Sequence, residues 1–558
     1  MVFFLIVTLP IYAPQSEAQT EAKLDRLILS NSEPSCLFPP FSREQVQQWR
    51  DEDLVFGKIT IEVDTIFPED ETGSNNWLYR SVNNLHITTR PHVLRRQLLV
   101  KQGENFSTAK IEESERILRA NNFLHDVEIR IASRCGNQVQ LTVWARDLWT
   151  LFPDISIARS ADDSSTRLGF RDSNFLGLGK KVVVVRESDE ERKGYTFNYL
   201  DRNTFGSRNI LAIDYSDNDD GDARAFKLEQ PFYSLDTRWS FGISHKLEDR
   251  TDKLYSRNQV LQEFRHDETQ NKAFIGFSPG QKNSHVHRWL LGYTELKDKF
   301  LPTDSTNMDV AIPADRLYRY PWIAWQFLQN NFLEVRNFNL MGRTEDINAG
   351  IQASILLGYS STRYSANNEG LVYEAELSRL MRFDGDQFLG LSVVSSGIET
   401  SEGGQNILST GEARYHHNIN RSTQFFTSLA ISHAHNLFDD QQLLLGGDNG
   451  LRGYPSRYQE GDRRFLLTLE QRFYLDGEYW RLFNLGAVAF ADIGRAWFPG
   501  QDNGINGSTL RGLGFGLRFS PTRAGKDIML HLDFAFPLDT EDDQVDDFQI
   551  NFEAKKHF

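Results

Sequence analysis

Hydrophobic and polar residues alternate one by one through most of the chain after Arg159. The final segment is the clearest case, with apolar residues at every second position and again at the end: Phe548, Ile550, Phe552, Ala554 and Phe558. Residues 513–519 and 528–536 repeat the alternation, with mostly glycine or charged residues on the opposite face. A period of two predicts β-strands with one apolar and one polar face.

A different pattern precedes this region and predicts helices as well as strands. Lys58 to Phe67 alternates, which predicts a strand. Thr89 followed by Pro91 predicts a helix with Thr89 as its N-cap, and a second helix is expected from about Ser107 to Asn122.

Two more alternating strands follow on either side of the turn Gly136-Asn137. Their inward residues are Val127, Ile129 and Ile131, and then Val139, Leu141 and Val143. We therefore expect an α+β domain over residues 57–147 in the order strand-helix-helix-strand-strand, with a three-stranded sheet covered on one face by two helices.

The alternating region, residues 160–558, is compatible with a soluble β-sandwich or with a membrane-spanning barrel. No stretch reaches the roughly 20 apolar residues of a membrane-spanning helix, so a chain that crosses a bilayer must do so as a closed barrel. Long acidic loops that alternate with short turns favour the barrel. At ~25 residues for each strand and its connection, we expect a transmembrane antiparallel β-barrel of about 16 strands.

Composition and charge narrow the function further. The chain of 558 residues contains 40 Phe and 39 Gly but only two Cys, which suits a sheet that lies between lipid and water. Its net charge of −16 argues against a nucleic-acid partner, which would require a basic surface.

The N-terminus predicts a secretory signal peptide over residues 1–18. An apolar run from Val2 to Leu9 precedes Ser16-Glu17-Ala18, where cleavage is expected. No Lys or Arg precedes Lys23, so the usual basic region is absent, and a buried strand or helix is the alternative interpretation. Residues 19–56 would then form an N-terminal segment before the α+β domain.

Cys36 lies in that segment and Cys135 lies in the α+β domain. In an oxidising compartment the two could form a disulfide, and two separate free thiols are an equally good interpretation.

The most informative segment is the loop from about Asn436 to Arg464, which contains the sequence GGDNGLRGY. Alternation in the next two strands places Glu470 and Asp492 on the inner face. Two carboxylates in a confined space repel each other unless a cation joins them, and arginine can bind carboxylates through two hydrogen bonds at once. Our hypothesis is therefore that Arg452 enters the lumen and is clamped by both carboxylates. From spacing alone, an exposed surface arginine is the simpler interpretation.

These motifs resemble the signature of the BamA/TamA superfamily of outer-membrane assembly and secretion barrels. The resemblance assigns Arg452 to the family's inward-folded loop. It assigns Glu470, in the sequence LEQR, and Asp492, in the sequence FADIG, to the inner wall of the barrel. The other residues of the loop motif are Gly446, Gly447, Gly453 and Tyr454. The other residues of the inner-wall motif are Phe490 and Gly494.

Further segments extend the resemblance to about residues 57–558. NFLGLG at residues 174–179 and PFYSLDTRW at residues 231–239 resemble other family motifs. The last segment, through Phe558, resembles the C-terminal signal of outer-membrane barrels. The α+β domain resembles a POTRA domain, the family's periplasmic docking module, although relatives usually have several and only one is found here.

The resemblance implies a protein of the bacterial outer membrane, with its N-terminal domain in the periplasm, that assembles or inserts other proteins. Its expected partners are unfolded outer-membrane or secreted polypeptides, the lipid bilayer, and periplasmic chaperones or accessory proteins. A two-partner-type polypeptide secretion pore and a diffusion channel are the alternatives. We expect no enzyme, cofactor or metal site, because no catalytic set occurs and the pairs His285/His287 and His433/His435 lack an identifiable third ligand.

Overall fold

The computed structural model describes residues 36–49, 52–67, 77–159, 164–188, 193–307, 309–383, 386–500, 507–525, 528–539 and 544–555. The predicted signal peptide and Phe558 lie outside these residues. The chain divides into two compact units. One comprises Met1–Glu62, Leu99–Ser114 and Glu128–Trp144, and the other comprises Val63–Leu98, Glu115–Val127 and Ala145–Phe558.

The residues before the barrel form short helices and one sheet. In chain order the elements are β1 (Cys36–Leu37), α1 (Arg43–Gln48), β2 (Val55–Asp64), α2 (Trp77–Leu85), α3 (Pro91–Gln97), α4 (Thr108–Arg119), β3 (Leu124–Cys135) and β4 (Gln138–Asp147). The sheet has the order β1-β3-β4-β2, so β2 is an edge strand. Gly136 makes the β3–β4 turn with a φ of 61°, a conformation that glycine adopts without strain.

Three details differ from the prediction. The N-cap of α3 is Arg90, because both the backbone N–H and the hydroxyl of Thr89 donate hydrogen bonds to Asp147 instead. The sheet has a fourth strand, the two-residue β1, which pairs beside the end of β3. Helix α2 was not predicted, since its nine residues carry no capping or charge pattern strong enough to mark it.

All later strands are long and antiparallel, apart from a few short pieces in the connections. They are β5 (Leu151–Arg159), β6 (Ser164–Asp172), β7 (Lys180–Ser188), β8 (Lys193–Thr204), β9 (Asn209–Asn218), β10 (Gly221–Gln230), β11 (Trp239–Ser256), β12 (Gln259–Phe277), β13 (Gln281–Lys282), β14 (His285–Pro302), β15 (Arg316–Gln329), β16 (Phe332–Arg336), β17 (Thr344–Asn348), β18 (Gln352–Ser360), β19 (Gly370–Phe383), β20 (Gln387–Thr400), β21 (Gly403–Asn420), β22 (Thr423–His435), β23 (Leu443–Leu445), β24 (Gln459–Gly461), β25 (Arg463–Tyr474), β26 (Phe483–Trp497), β27 (Leu510–Pro521), β28 (Met529–Pro537) and β29 (Gln549–Lys555).

These strands form a closed barrel, which confirms the predicted β-barrel. Within the described residues its sheet has 21 strands, one of which is the two-residue β13, and the ring closes between β29 and β5. This number of strands is higher than the sequence-based prediction of about 16. The estimate assumed too many residues for each strand and its connection, because turns such as 219–220, 257–258 and 421–422 contain only two residues.

The two ends of the barrel carry different connections. We call the end at which β5 begins the proximal end and the other the distal end. Successive strands run in opposite directions, so residues 330–351, between β15 and β18, lie at the proximal end. Residues 436–462, between β22 and β25, lie at the distal end.

The outer face of the barrel is strongly apolar. Its exposed hydrophobic residues include Trp239, Phe241, Ile243, Ile275, Trp289, Leu291, Ile323, Leu391, Val393, Leu513, Phe515 and Leu517. Buried polar residues alternate with such positions on the inner face, as expected for strands between an apolar and a polar environment. None of the described helices is both long enough and apolar enough to cross a membrane.

Candidate functional site in the barrel lumen

The distal connection at residues 436–462, here called the lumen loop, folds back into the barrel. Strands β23 and β24 pair with each other and form a narrow ribbon. Arg452 lies between Gly450 and Gly453, whose φ angles are 109° and 93°. These left-handed conformations let the chain reverse on both sides of the arginine.

Two further glycines allow the chain to pass close to itself. A Cβ on Gly446 would lie 2.4 Å from the carbonyl oxygen of Pro455, and one on Gly447 would lie 2.4 Å from that of Tyr454. The Gly447 N–H donates to the Pro455 carbonyl at 3.0 Å. The predicted loop glycines therefore maintain the narrow ribbon that carries Arg452.

Tyr454 fixes the returning half of the loop to the barrel wall. The residue is buried, and its hydroxyl donates to the carbonyl oxygen of Arg511 at 2.7 Å. Burial raises the pKa of Tyr454 to about 12, so the hydroxyl keeps its proton at neutral pH. The loop is thus held by a neutral donor next to the charged Arg452.

Arg452 binds both carboxylates that alternation placed on the inner wall. Its Nε and Nη2 lie 2.7 and 2.9 Å from the two carboxylate oxygens of Asp492, and its Nη1 lies 2.9 Å from Glu470 Oε1. Asp492 is fully buried and Glu470 is nearly so. Burial lowers the pKa of the Arg452 guanidinium, but hydrogen bonds and charge from the two carboxylates raise it above its ordinary value overall.

Phe490 completes the clamp by packing its ring against the guanidinium of Arg452. The guanidinium carbon of Arg452 lies 3.5 Å from the centre of the Phe490 ring, a cation–π contact. Phe490 is the direct neighbour of Glu470 across β25 and β26, so one strand pair supplies the ring and both carboxylates. Gly494 follows on β26, where a Cβ would lie 3.0 Å from Leu445 of the loop.

The charged cluster is larger than the predicted three residues. Arg472 Nε lies 2.8 Å from Glu470 Oε2, and Arg518 Nη1 lies 2.6 Å from Asp533 Oδ1. With Arg452 and Asp492 this makes three arginines and three carboxylates, and all of them except Arg452 are buried. Alternation predicts that these side chains point inward, but it does not predict which of them pair, because strand register is not visible in a single strand.

Other contacts anchor the lumen loop to the opposite wall. Arg316 binds both carboxylate oxygens of Asp440 at 2.6 and 2.9 Å. The side chain of Gln442 donates to the Tyr255 carbonyl and accepts from the Tyr255 N–H, both at 2.8 Å. The loop therefore contacts β11 and β15 as well as β25 and β26, and it spans the lumen.

A second buried network surrounds Asn174, the first residue of the predicted NFLGLG motif. The Asn174 amide donates to the Thr89 hydroxyl at 2.7 Å, and the Gly179 N–H donates to Asn174 Oδ1 at 2.6 Å. The Thr89 hydroxyl in turn donates to Asp147 at 2.7 Å. The motif residue thus holds the β6–β7 turn and the start of α3 through hydrogen bonds.

The other predicted residues lie apart from the clamp. Cys36 and Cys135 are joined by a disulfide and are paired in β1 and β3. The described C-terminal residues Phe548, Ile550 and Phe552 are exposed on the outer face. His285 stacks against Phe327 and His287 stacks against Trp325, so each ring has an aromatic neighbour.

The fold and the clamp define a β-barrel whose lumen is crossed by its own inward-folded distal loop. No protein-family model matches the chain, and no curated protein matches it either.

Solved structures that resemble it over 98% of its length include BamA from Haemophilus ducreyi lacking POTRA domains 1-3, with 14% identity, a TM-score of 0.41 and 94% of that chain covered. Others are CdiB from Escherichia coli, with 12% identity, a TM-score of 0.45 and 85% covered, and CdiB from Acinetobacter baumannii, with 11% identity, a TM-score of 0.43 and 82% covered.

Proposed function

We propose that the protein is an outer-membrane assembly factor that helps unfolded barrel proteins to insert into the bilayer. In this proposal residues 57–147 form a single POTRA domain in the periplasm, and insertion takes place beside the seam between β29 and β5. The partners are unfolded outer-membrane polypeptides and the lipid bilayer.

The observation that carries the proposal is the clamp of the lumen loop. A polypeptide that passed through the lumen would have to displace Arg452 from Asp492 and Glu470, and breaking a buried ion pair costs about 3–5 kcal/mol. A client that inserts beside the barrel wall leaves the clamp intact. This geometry therefore favours insertion of clients beside the outer surface of the barrel over transport of a polypeptide through the lumen.

Two further features fit the proposal. The outer face presents apolar side chains suited to lipid, as a transmembrane barrel requires. Strand β2 is at the edge of its sheet, and an extended client could pair with such an edge before it reaches the membrane.

The test follows the folding of an unfolded outer-membrane barrel into liposomes that contain the full-length protein. We expect the unmodified protein to accelerate folding, Arg452→Ala to lose the acceleration, and the control Arg224→Ala to keep it. Arg224 is a suitable control because it is an exposed strand arginine whose carboxylate partner within the described part of the chain is Asp222.

The result that would overturn the proposal is an intact barrel that does not accelerate the folding of any barrel client. Export of a soluble polypeptide in the same liposomes would then identify a secretion pore, and passage of small solutes alone would identify a diffusion channel.

A further inference from the structure

The proximal end of the barrel carries a hairpin that sequence patterns did not single out. Strands β16 and β17 pair over residues 332–348, between barrel strands β15 and β18. We call this segment the proximal hairpin and residues 337–343 its tip.

The tip of the proximal hairpin packs against inward-facing side chains of distant strands. Phe338 stacks on His416 of β21, with ring centres 4.1 Å apart, and meets Phe388 of β20 edge-on at 5.4 Å. Met341 is buried with Tyr474 of β25 and Met529 of β28. A segment that starts at β15 therefore reaches strands far around the ring, which places its tip across the proximal mouth of the barrel.

Hydrogen bonds fix the tip in this place. Arg343 Nη2 donates to the carbonyl oxygens of Pro521 and Ala524 at 2.9 and 2.8 Å. Gln424 Nε2 donates to the Asn337 carbonyl at 3.0 Å. Because these contacts are to backbone carbonyls and buried side chains, the tip is fitted to the wall and does not lie loosely in the mouth.

The base of the proximal hairpin is bound by Arg119, the last residue of α4. Arg119 Nε and Nη2 each lie 2.8 Å from a carboxylate oxygen of Asp346 on β17, and Nη2 lies 2.7 Å from Glu334 on β16. The side chains of Arg119 and Asp346 are only 10% and 13% exposed, so this ion pair is partly shielded from water. The Arg116 guanidinium lies 4.4 Å from the centre of the Phe332 ring on the same hairpin.

We propose that the proximal hairpin is a plug that closes the proximal mouth, and that the pairing of Arg119 with Asp346 and Glu334 is the latch that keeps it seated. The latch joins both strands of the hairpin, so its loss frees the base as a unit. Hinged segments of this kind have two discrete positions, because packed contacts either form together or separate together. The inference concerns the barrel itself and does not depend on the proposed assembly function.

The test measures how often the tip leaves its seat. The chain's two cysteines form the disulfide, so an introduced cysteine is a single free thiol. Met341→Cys reports on the buried tip, and Ala496→Cys is the matched reporter, fully buried beside the lumen loop. The full-length protein in liposomes is treated with a charged maleimide, and the labelling rate of each thiol is measured.

We expect Arg119→Glu to raise the labelling rate of Met341→Cys by about tenfold or more, which corresponds to about 1.4 kcal/mol in the opening equilibrium. The rate at Ala496→Cys should not change. Exchange of the two charges, Arg119→Asp with Asp346→Arg, should restore slow labelling at the tip.

The latch is refuted if Arg119→Glu leaves the rate at Met341→Cys unchanged, or if the exchanged pair labels as fast as the single variant. If Arg119→Glu raises the labelling rates of Met341→Cys and Ala496→Cys equally, the milder variant Arg119→Gln is tested in the same way. An equal rise of both rates in Arg119→Gln also refutes the latch. No client protein is needed, so these outcomes are independent of the assembly experiment.

Discussion

The ring of Phe490 lies over Gly514, its direct neighbour on β27, so closely that a Cβ on Gly514 would come within 2.3 Å of the ring carbon Cζ. The same ring contacts the Arg452 guanidinium. Glycine at position 514 therefore gives Phe490 the space from which it supports the clamp.

Gly514→Ala should push Phe490 out of this position and weaken its contact with Arg452. Overpacking of this kind costs about 1–3 kcal/mol. The measurement is the thermal unfolding of the barrel together with protease cleavage of the lumen loop. Gly411→Ala is the control, because Gly411 is also in a barrel strand and nothing lies within 4 Å of its added Cβ. Equal effects of the two substitutions would contradict the role given to Gly514.

Arg452→Ala should destabilise the barrel by about 3–5 kcal/mol, because it leaves the fully buried Asp492 without its cation. The same substitution in an Asp492→Asn background should cost clearly less, since no buried charge is then left unpaired. A double-mutant cycle from urea unfolding in liposomes measures the difference. Additive costs would mean that the two residues do not depend on each other.

Much of the clamp was predictable from the sequence, but only part of it from the residues alone. Alternation placed Glu470 and Asp492 on the inner face because each strand has a strict period of two. Arg452 belongs to a loop, where no periodicity fixes direction, so its entry into the lumen became the preferred interpretation only through the family resemblance. The pairing of Arg518 with Asp533 depends on the register between β27 and β28, which no single strand reveals.

The proximal hairpin escaped prediction for a related reason. Its two strands have only five residues each and carry charged residues such as Glu334 and Asp346, which is typical of a solvated turn. The partner of Asp346 is Arg119, more than 200 positions earlier in the sequence. Contacts between residues so far apart in the sequence follow from the closure of the barrel and not from the local pattern of hydrophobic and polar residues.

The disulfide between Cys36 and Cys135 should stabilise the N-terminal residues against unfolding. It closes a loop with a sequence separation of 99 residues, and a loop of that size gives about 4–5 kcal/mol in the chain-entropy model. Cys36→Ser with Cys135→Ser should therefore increase protease cleavage within residues 36–147. Unchanged cleavage relative to the oxidised protein would show that the bond adds no stability.

Glu345 should hold the tip of the proximal hairpin through its backbone donors. Its Oε1 accepts the N–H groups of Phe338, Asn339 and Leu340, each at 3.0 Å. Burial raises the pKa of Glu345 more than these hydrogen bonds lower it. A carboxyl whose folded pKa is raised favours the folded state at low pH, and this contribution is lost as the pH rises through the folded pKa.

Glu345→Gln should therefore keep the tip seated and remove this pH dependence, because the amide oxygen still accepts hydrogen bonds without a buried charge. Glu345→Ala should unseat the tip and leave buried N–H groups unpaired, at about 1–3 kcal/mol for each. Labelling of the Met341→Cys thiol at pH 5 and pH 8 compares the variants. If Glu345→Gln labelled as fast as Glu345→Ala, the hydrogen bonds would not be what holds the tip.

Gln424 connects the proximal hairpin to the clamp. Its Nε2 donates to the Asn337 carbonyl at 3.0 Å, and its Oε1 accepts from Arg472 Nη1 at 3.2 Å. Arg472 binds Glu470, which also binds Arg452 of the lumen loop. One fully buried side chain thus joins the two segments that enter the barrel from opposite ends.

Gln424→Leu keeps the approximate size of the side chain but removes both links, so it should loosen the tip and the lumen loop together. We expect faster labelling of Met341→Cys and faster protease cleavage within residues 436–462. Gln259→Leu, at an exposed position on β12, is the control and should change neither. If Gln424→Leu loosened the tip but not the loop, the two ends of the barrel would open independently, because the hydrogen bonds through Gln424 would then carry no coupling.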